Sequence, residues 1–239
     1  MNIVDTSVKK TTTVNVNLSK GFQSILFLLS LRLYDLTNEM ISIKIQRPNR
    51  GDVELTNGFV NLLQLLLVGN FSQKTVSFFD IFNTSVILDL SQFGAIKLQD
   101  GEQVLIALKG LKATETYILD TIDSPVESDK FPEYVTRPFN SELTEVECDL
   151  SNTQIACFSD DDNIDEIILT MDNAVQVRYT PRELKNELQS TFPISYIGSD
   201  SKIIPYPTNF YVLPTLGIDH ITIRKSPGTN VVFFTKLNS

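Results

Sequence analysis

The sequence predicts an all-β protein made of two tandem eight-stranded sandwiches or barrels, each carrying one short helix. Three observations predict this. The first is a repeat with a spacing of 124 residues: Thr56 and Thr180 each close a short strand and open an apolar or amphipathic run, and Ile87-Leu-Asp-Leu90 recurs as Tyr211-Val-Leu-Pro214 at the same separation. A period that long is a duplicated domain, because solenoid repeats run to roughly 20–50 residues. The second is the dominance of short Val-, Ile-, Leu- and Phe-rich segments between Gly, Asn and Asp turns, the pattern of strands in sandwiches and barrels. The third is the stretch 123–140, where Pro125, Pro132 and Pro138 mix with charges and mark a linker. The predicted organisation is therefore 1–122, a linker over 123–140, and 141–239, two domains of ordinary size.

In the first half Thr12-Thr-Val-Asn-Val-Asn-Leu18 alternates polar and apolar residues. Strands are then expected over Ile25 to Leu36, Glu39 to Gln46, Val53 to Leu55, Thr75 to Ile81, Ser85 to Leu90, Ala95 to Leu98, Gln103 to Leu108 and Glu115 to Leu119. A helix is expected to open at Thr56, its leucine-rich face packed on the barrel. In the second half strands are expected over Thr144 to Asp149, Thr153 to Phe158, Glu166 to Met171, Val175 to Tyr179, Ile194 to Ile197, Asn209 to Leu213, Ile218 to Arg224 and Asn230 to Lys236. Its helix is the plainest single element. Thr180 is the N-cap, Pro181 occupies the first helical position, and Glu183 completes a Thr-x-x-Glu capping box.

Composition narrows the function. Twenty basic residues against 29 acidic ones give a net charge of −9, which argues against a sequence-specific nucleic-acid binder with a basic face. The pair Lys9-Lys10 suits a face turned to a membrane surface or genome, but two lysines near a terminus read more simply as solvated. The greasiest run, Ile25 to Leu29, is cut by Ser30 and Arg32, short of the roughly 18 apolar residues that a membrane-spanning helix needs. The first twenty residues lack an apolar central region, so no secretory signal is expected. The Asn70-Phe-Ser72 and Asn83-Thr-Ser85 sequons then read as idle. Cys148 and Cys157, flanking a Ser151-Asn-Thr153 turn, are expected on facing strands within reach of a bridge, but without a secretory signal they read as reduced thiols.

Catalytic constellations are missing from the sequence. The one histidine, His220, sits in the alternating strand Ile218-Asp-His-Ile-Thr-Ile-Arg224, and neither a phosphate-binding glycine loop nor a nucleophile elbow is present. Arg50-Gly51-Asp52 matches an integrin-binding tripeptide, but Gly-Asp between strands is also ordinary turn chemistry. The run Ser159-Asp-Asp-Asp-Asn-Ile-Asp165 offers hard oxygen ligands, with Asp160, Asp161, Asp162 and Asp165 as candidates for a structural Ca²⁺. It lacks the glycine and distal glutamate of an EF-hand loop, and an acidic hairpin tip left to solvent is the competing reading. No other cofactor is expected.

The order of the first-half elements, Val14-Asn-Val-Asn-Leu18, Ser19-Lys-Gly21, Ile25 to Tyr34, Thr37-Asn-Glu39, Ile41-Ser-Ile-Lys-Ile45 and the Thr56 helix, resembles the amino-terminal jelly roll of corticovirus-type major capsid proteins. Asp165-Glu-Ile-Ile-Leu169, Arg178-Tyr-Thr-Pro181, Phe210-Tyr-Val-Leu213 and Ile218 to Arg224 are similar to the carboxy-terminal jelly roll of that family. The resemblance is one of element order and spacing over nearly the whole chain. The chain departs from the family in its compactness, which leaves little room for the tower loops of larger relatives. The resemblance implies a double jelly roll and a capsid protein located in the virion after assembly in the host cytoplasm. The implied assembly is a homotrimer, contacting neighbouring capsomers and minor capsid proteins in an icosahedral shell over an internal membrane. Two other readings stay open: a receptor- or glycan-binding β-sandwich such as a spike or adhesin, and a minor or vertex capsid protein.

Overall fold

The computed structural model describes residues 1–8, 10–48, 50–71, 75–79, 82–91, 93–191, 195–197, 203–204 and 210–237. Lys9, Ser72, Ile81, Ile194 and Asn209, all named above, lie outside that set. The chain divides into two compact units, Met1–Tyr134 with Ser195–Ile204, and Val135–Ile194 with Pro205–Asn238.

The first part of the chain forms β1 (Asn2–Asp5), β2 (Thr13–Leu18), β3 (Ser24–Leu29), β4 (Met40–Gln46), β5 (Val53–Glu54) and β6 (Val60–Asn61). Helix α1 (Leu62–Gly69) follows, then β7 (Thr75–Phe79), β8 (Phe82–Asp89), β9 (Ala95–Ile96), β10 (Gln103–Lys109), β11 (Tyr117–Ile122) and β12 (Glu127–Ser128). The remainder forms β13 (Tyr134–Pro138), β14 (Glu145–Asp149), β15 (Thr153–Ser159), β16 (Ile164–Met171), β17 (Gln176–Tyr179) and helix α2 (Pro181–Thr191). It ends with β18 (Ser195–Ile197), β19 (Ile203–Ile204), β20 (Phe210–Pro214), β21 (Ile218–Lys225) and β22 (Val232–Leu237).

The two units have one strand order. In the first, β1-β11-β3-β8 form one sheet and β2-β10-β4-β5 the other. In the second, β13-β22-β15-β20 form one sheet and β14-β21-β16-β17 the other. Numbering eight strands along each unit, both give sheets 1-8-3-6 and 2-7-4-5, and α1 and α2 both fall between strands five and six. The 124-residue spacing holds from Met40 of β4 and Ile164 of β16 through to β8 and β20. It shortens beyond them because the first unit inserts β9. The first unit also extends its sheet past β8 with β7, β18 and β19, and β18 pairs parallel to β7 at Ser195 and Thr75.

Period-two patterning puts one face of each strand in a core. On β4, Ile41, Ile43 and Ile45 are fully buried while the residues between them are half-exposed, and Ile43 pairs across to Ile106 of β10. The second core gathers Val146, Phe158, Ile167, Leu169, Tyr211, Ile221, Ile223 and Phe233. Its aromatic centre stacks Phe158 on Tyr211 at 4.8 Å and sets it against Phe233 at 5.0 Å, geometry that adds to area burial.

Several expectations need correction. The strand expected from Ile25 to Leu36 ends at Leu29, and Leu33–Asp35 is a short 3-10 turn. Leu31, Leu33 and Leu36 are all buried, a spacing that no strand face supplies. The first helix opens at Leu62 with Asn61 as N-cap, its side chain accepting from Gln64 N at 3.1 Å. Thr56 is instead buried and spends its hydroxyl on β4, accepting from Ile43 N at 2.9 Å and donating to Gly58 O at 3.0 Å. β1 is an additional strand, and the proline-marked stretch 123–140 carries β12 and β13 with the buried Tyr134. The segment Ser195–Ile197 joins the first unit's sheet rather than the second's.

Candidate functional site

The acidic turn between β15 and β16 does not gather its carboxylates on one point. Asp160 leaves the turn to meet α2: its carboxylate pairs with Lys185 Nζ and accepts the Tyr211 hydroxyl. Asp161 Oδ1 accepts from Asn163 N at 2.9 Å and from its side-chain amide at 2.8 Å, a local Asx turn. Asp162 and Asp165 are exposed to solvent. Among the described residues no group of three His, Cys, Asp or Glu side chains is arranged to hold a metal ion. What this corner of the molecule does is fasten α2. Burial, with the Asp160 carboxylate next, pushes the Tyr211 hydroxyl well above its ordinary pKa, so it stays a hydrogen-bond donor.

Arg50-Gly51-Asp52 sits in a turn but its charges are engaged within the protein. Arg50 Nη2 donates to Glu102 at 3.1 Å, and Lys44 Nζ donates to Asp52 at 2.7 Å. Lys44 is the main reason that the Asp52 carboxyl lies below its usual range, with the Arg47 N–H adding to it. Glu102 is itself buried and also accepts from Gln99 N, so the tripeptide is one end of a clasp between two loops.

Cys148 and Cys157 are both free and buried. They lie in different sheets of the second unit, on β14 and β15. Burial pushes both thiols up in pKa, which leaves them poor nucleophiles. His220 stands in β21 opposite Asp149 of β14, with Glu147 3.9 Å from its Nε2. Its surroundings are those of a surface strand residue.

Three buried charges had no signal in the sequence beyond their residue type. Glu39 is fully buried, accepting from Thr37 N at 2.8 Å, Asn38 N at 3.1 Å and the Tyr117 hydroxyl at 2.9 Å. Glu102 closes the clasp just described. Lys225 is 2% exposed and donates to the carbonyls of Ser141, at 2.7 Å, and Leu143. Glu39 and Lys225 each tie a loop to a strand and Glu102 ties two loops together, the use expected of buried charges whose hydrogen bonds are supplied.

No protein-family model and no curated protein sequence matches the chain. Solved structures do. A structure of the STIV major capsid protein aligns with TM-score 0.57 at 11% identity, over 99% of this chain and 93% of that one. The chain has the double jelly-roll fold. A second structure, of Sulfolobus Turreted Icosahedral Virus, aligns with TM-score 0.56 at 10% identity, over 99% and 90%. The major capsid protein P2 of bacteriophage PM2 aligns with TM-score 0.51 at 10% identity, over 100% of this chain and 97% of that one.

In a double jelly roll the surfaces open to partners are sheet edges, outer sheet faces and end loops. Here the outer face of the β14-β21-β16-β17 sheet is charged. Arg224 bridges Glu145 at 2.8 Å and Glu166 at 2.7 Å, and Arg178 reaches Glu166 at 3.3 Å. No helix among the described residues is long and apolar enough to cross a membrane.

Proposed function

We propose that this chain is a major capsid protein. Three copies build a pseudo-hexagonal capsomer, and capsomers join one another and minor capsid proteins in an icosahedral shell over an internal membrane. The work is assembly rather than catalysis. The observation that carries the reading is the pair of eight-stranded units with identical strand order, aligned end to end with the capsid proteins of two viruses. Full coverage in both directions matters here, since a receptor-binding sandwich has no need of two such units in one chain.

The test is mass in solution and abundance in particles. Light scattering on concentrated protein is expected to give three times the 26.9 kDa chain mass. In purified virions the chain is expected to be the dominant band. A chain that remains monomeric at millimolar concentration and binds immobilised glycans transfers the weight to the spike or adhesin reading. A trimer present at only a few copies per particle transfers it to a minor or vertex protein.

A further inference from the structure

Edge strands expose unpaired N–H and C=O groups, and proteins blunt them with charge, proline, bulges or brevity. Nearly every sheet edge here is blunted in one of these ways. β5, β9, β12 and β19 have two residues each. β1 is bulged and ends at Asp5, β13 carries Arg137 and Pro138, β17 carries Arg178, and β20 ends at Pro214. β14 carries Glu145, Glu147 and Asp149. β2, its equivalent in the first unit, reads Thr13-Val-Asn-Val-Asn-Leu18, six residues with no charge, proline or bulge. Duplicated strands in the same place of the same fold thus have opposite edge chemistry.

The direction of the free groups follows from the hydrogen bonds. Thr13 N donates to Thr11 Oγ1 at 3.3 Å and Thr11 Oγ1 donates to Thr13 O at 2.7 Å, so Thr13 turns its backbone away from β10. Alternate residues share a side, so the backbone groups of Asn15 and Asn17 also point outward while those of Val14, Val16 and Leu18 turn to β10. Thr11 already closes Thr13. The open groups are the N–H and C=O of Asn15 and Asn17, and both residues are exposed.

We propose that β2 pairs antiparallel with β2 of a second copy of this chain across a two-fold axis at Val16. Asn15 then exchanges two backbone hydrogen bonds with Asn17 of the second copy, and Asn17 two with its Asn15. Val16 meets Val16, and Val14 meets Leu18. Polar side chains thus face polar ones and apolar face apolar, and no like charges oppose. The same self-pairing of β14 sets Glu147 against Glu147 and Glu145 against Asp149, an arrangement that cross-strand repulsion disfavours. The sheet β5-β4-β10-β2 becomes continuous between copies. The contact is small, well below the area of a stable dimer, and becomes effective where many copies are held in a lattice. It rests on the strand itself and enters the shell reading as a contact between capsomers.

Cross-linking tests it. Facing residues of a non-hydrogen-bonded antiparallel pair have Cα atoms about 4.5 Å apart, within disulfide range. Val16→Cys is therefore expected to form covalent dimers under mild oxidation about tenfold faster than Asn186→Cys, an exposed control on α2 that reports random collision. Adding Asn15→Pro removes an outward N–H without touching the ladder to β10, and is expected to abolish that excess. Equal rates for Val16→Cys and Asn186→Cys overturn the proposal. If Val16→Cys does not fold, Asn15→Lys with Asn17→Lys replaces it, since both sites are exposed. The fraction of chain sedimenting as assembled particles must then fall, and an unchanged assembled fraction overturns the proposal. Trimers of Val16→Cys that show no such cross-link remove this contact and leave the shell reading, whereas cross-linked dimers of a chain that never trimerises do the reverse.

Discussion

At Ala174 the backbone holds φ at 62°, the one non-glycine residue in the left-handed region among the described residues. The hairpin between β16 and β17 imposes it, with Ala174 N bonded to Met171 O and Met171 N to Val175 O, both at 2.9 Å. An L-residue there costs of order 1 kcal/mol that glycine avoids. Ala174→Gly is accordingly expected to stabilise the protein by about 0.5–1 kcal/mol, read as a higher urea midpoint at unchanged slope. Asp160 gives the opposite sign. Its carboxylate and the Lys185 ammonium are each about a quarter exposed, so screening is partial, and Asp160→Asn is expected to cost about 1–2 kcal/mol. Because Asp160 and Asp161 are already committed to Lys185, Tyr211 and Asn163, thermal midpoints with calcium and with chelator are expected to coincide. A midpoint that climbs with calcium and relapses on Asp161→Asn revives a cation role for Asp160 to Asp165.

Helix α2 shows how far local sequence decides an element. Thr180 N donates to Glu183 Oε2 at 2.8 Å while Glu183 N donates to Thr180 Oγ1 at 3.3 Å, the reciprocal pair that Thr-Pro-Arg-Glu announces. Thr180→Ala is expected to cost about 1 kcal/mol. The Thr180 N–H and then its hydroxyl hold the Glu183 carboxyl below its ordinary range. A depressed folded-state pKa stabilises above the unfolded value, near 4.5, and the contribution disappears as pH falls through the folded value. Acid titration of wild type and Glu183→Gln is therefore expected to show stability curves that converge as pH falls through the folded value. Equal separation at pH 3 and pH 7 contradicts the assignment. Helix α1 is less legible. Six of its eight residues are buried and no amphipathic stripe marks its start, so the sequence points to Thr56, whereas in the fold Thr56 is taken up by β4 and Asn61 caps the helix.

For the whole molecule, the repeat and the strand periodicity are enough to find two units of eight strands with a helix in the same place. Strand order is not legible, because alternation such as Ile41-Ser-Ile-Lys-Ile45 fixes which face is buried and says nothing about the neighbour. The linker misleads for a related reason: prolines exclude central strands, yet Tyr134–Pro138 is an edge strand, where proline is tolerated. Surface chemistry is least legible, since whether Asp160 binds an ion or Lys185 depends on a helix 25 residues away. At this scale packing sets stability. Replacing Phe158, fully buried and ringed by Tyr211 and Phe233, with alanine is expected to cost about 3–5 kcal/mol, measured by urea denaturation.

Both cysteines belong to the second unit, and the first has none. Sealed thiols react only when their surroundings open. A colourless chain mixed with a chromogenic thiol reagent thus carries its own clock, whose rate reports the opening of the second unit while ignoring the first. The opening of one half of a duplicated protein can then be timed on its own in one cuvette without introducing a label.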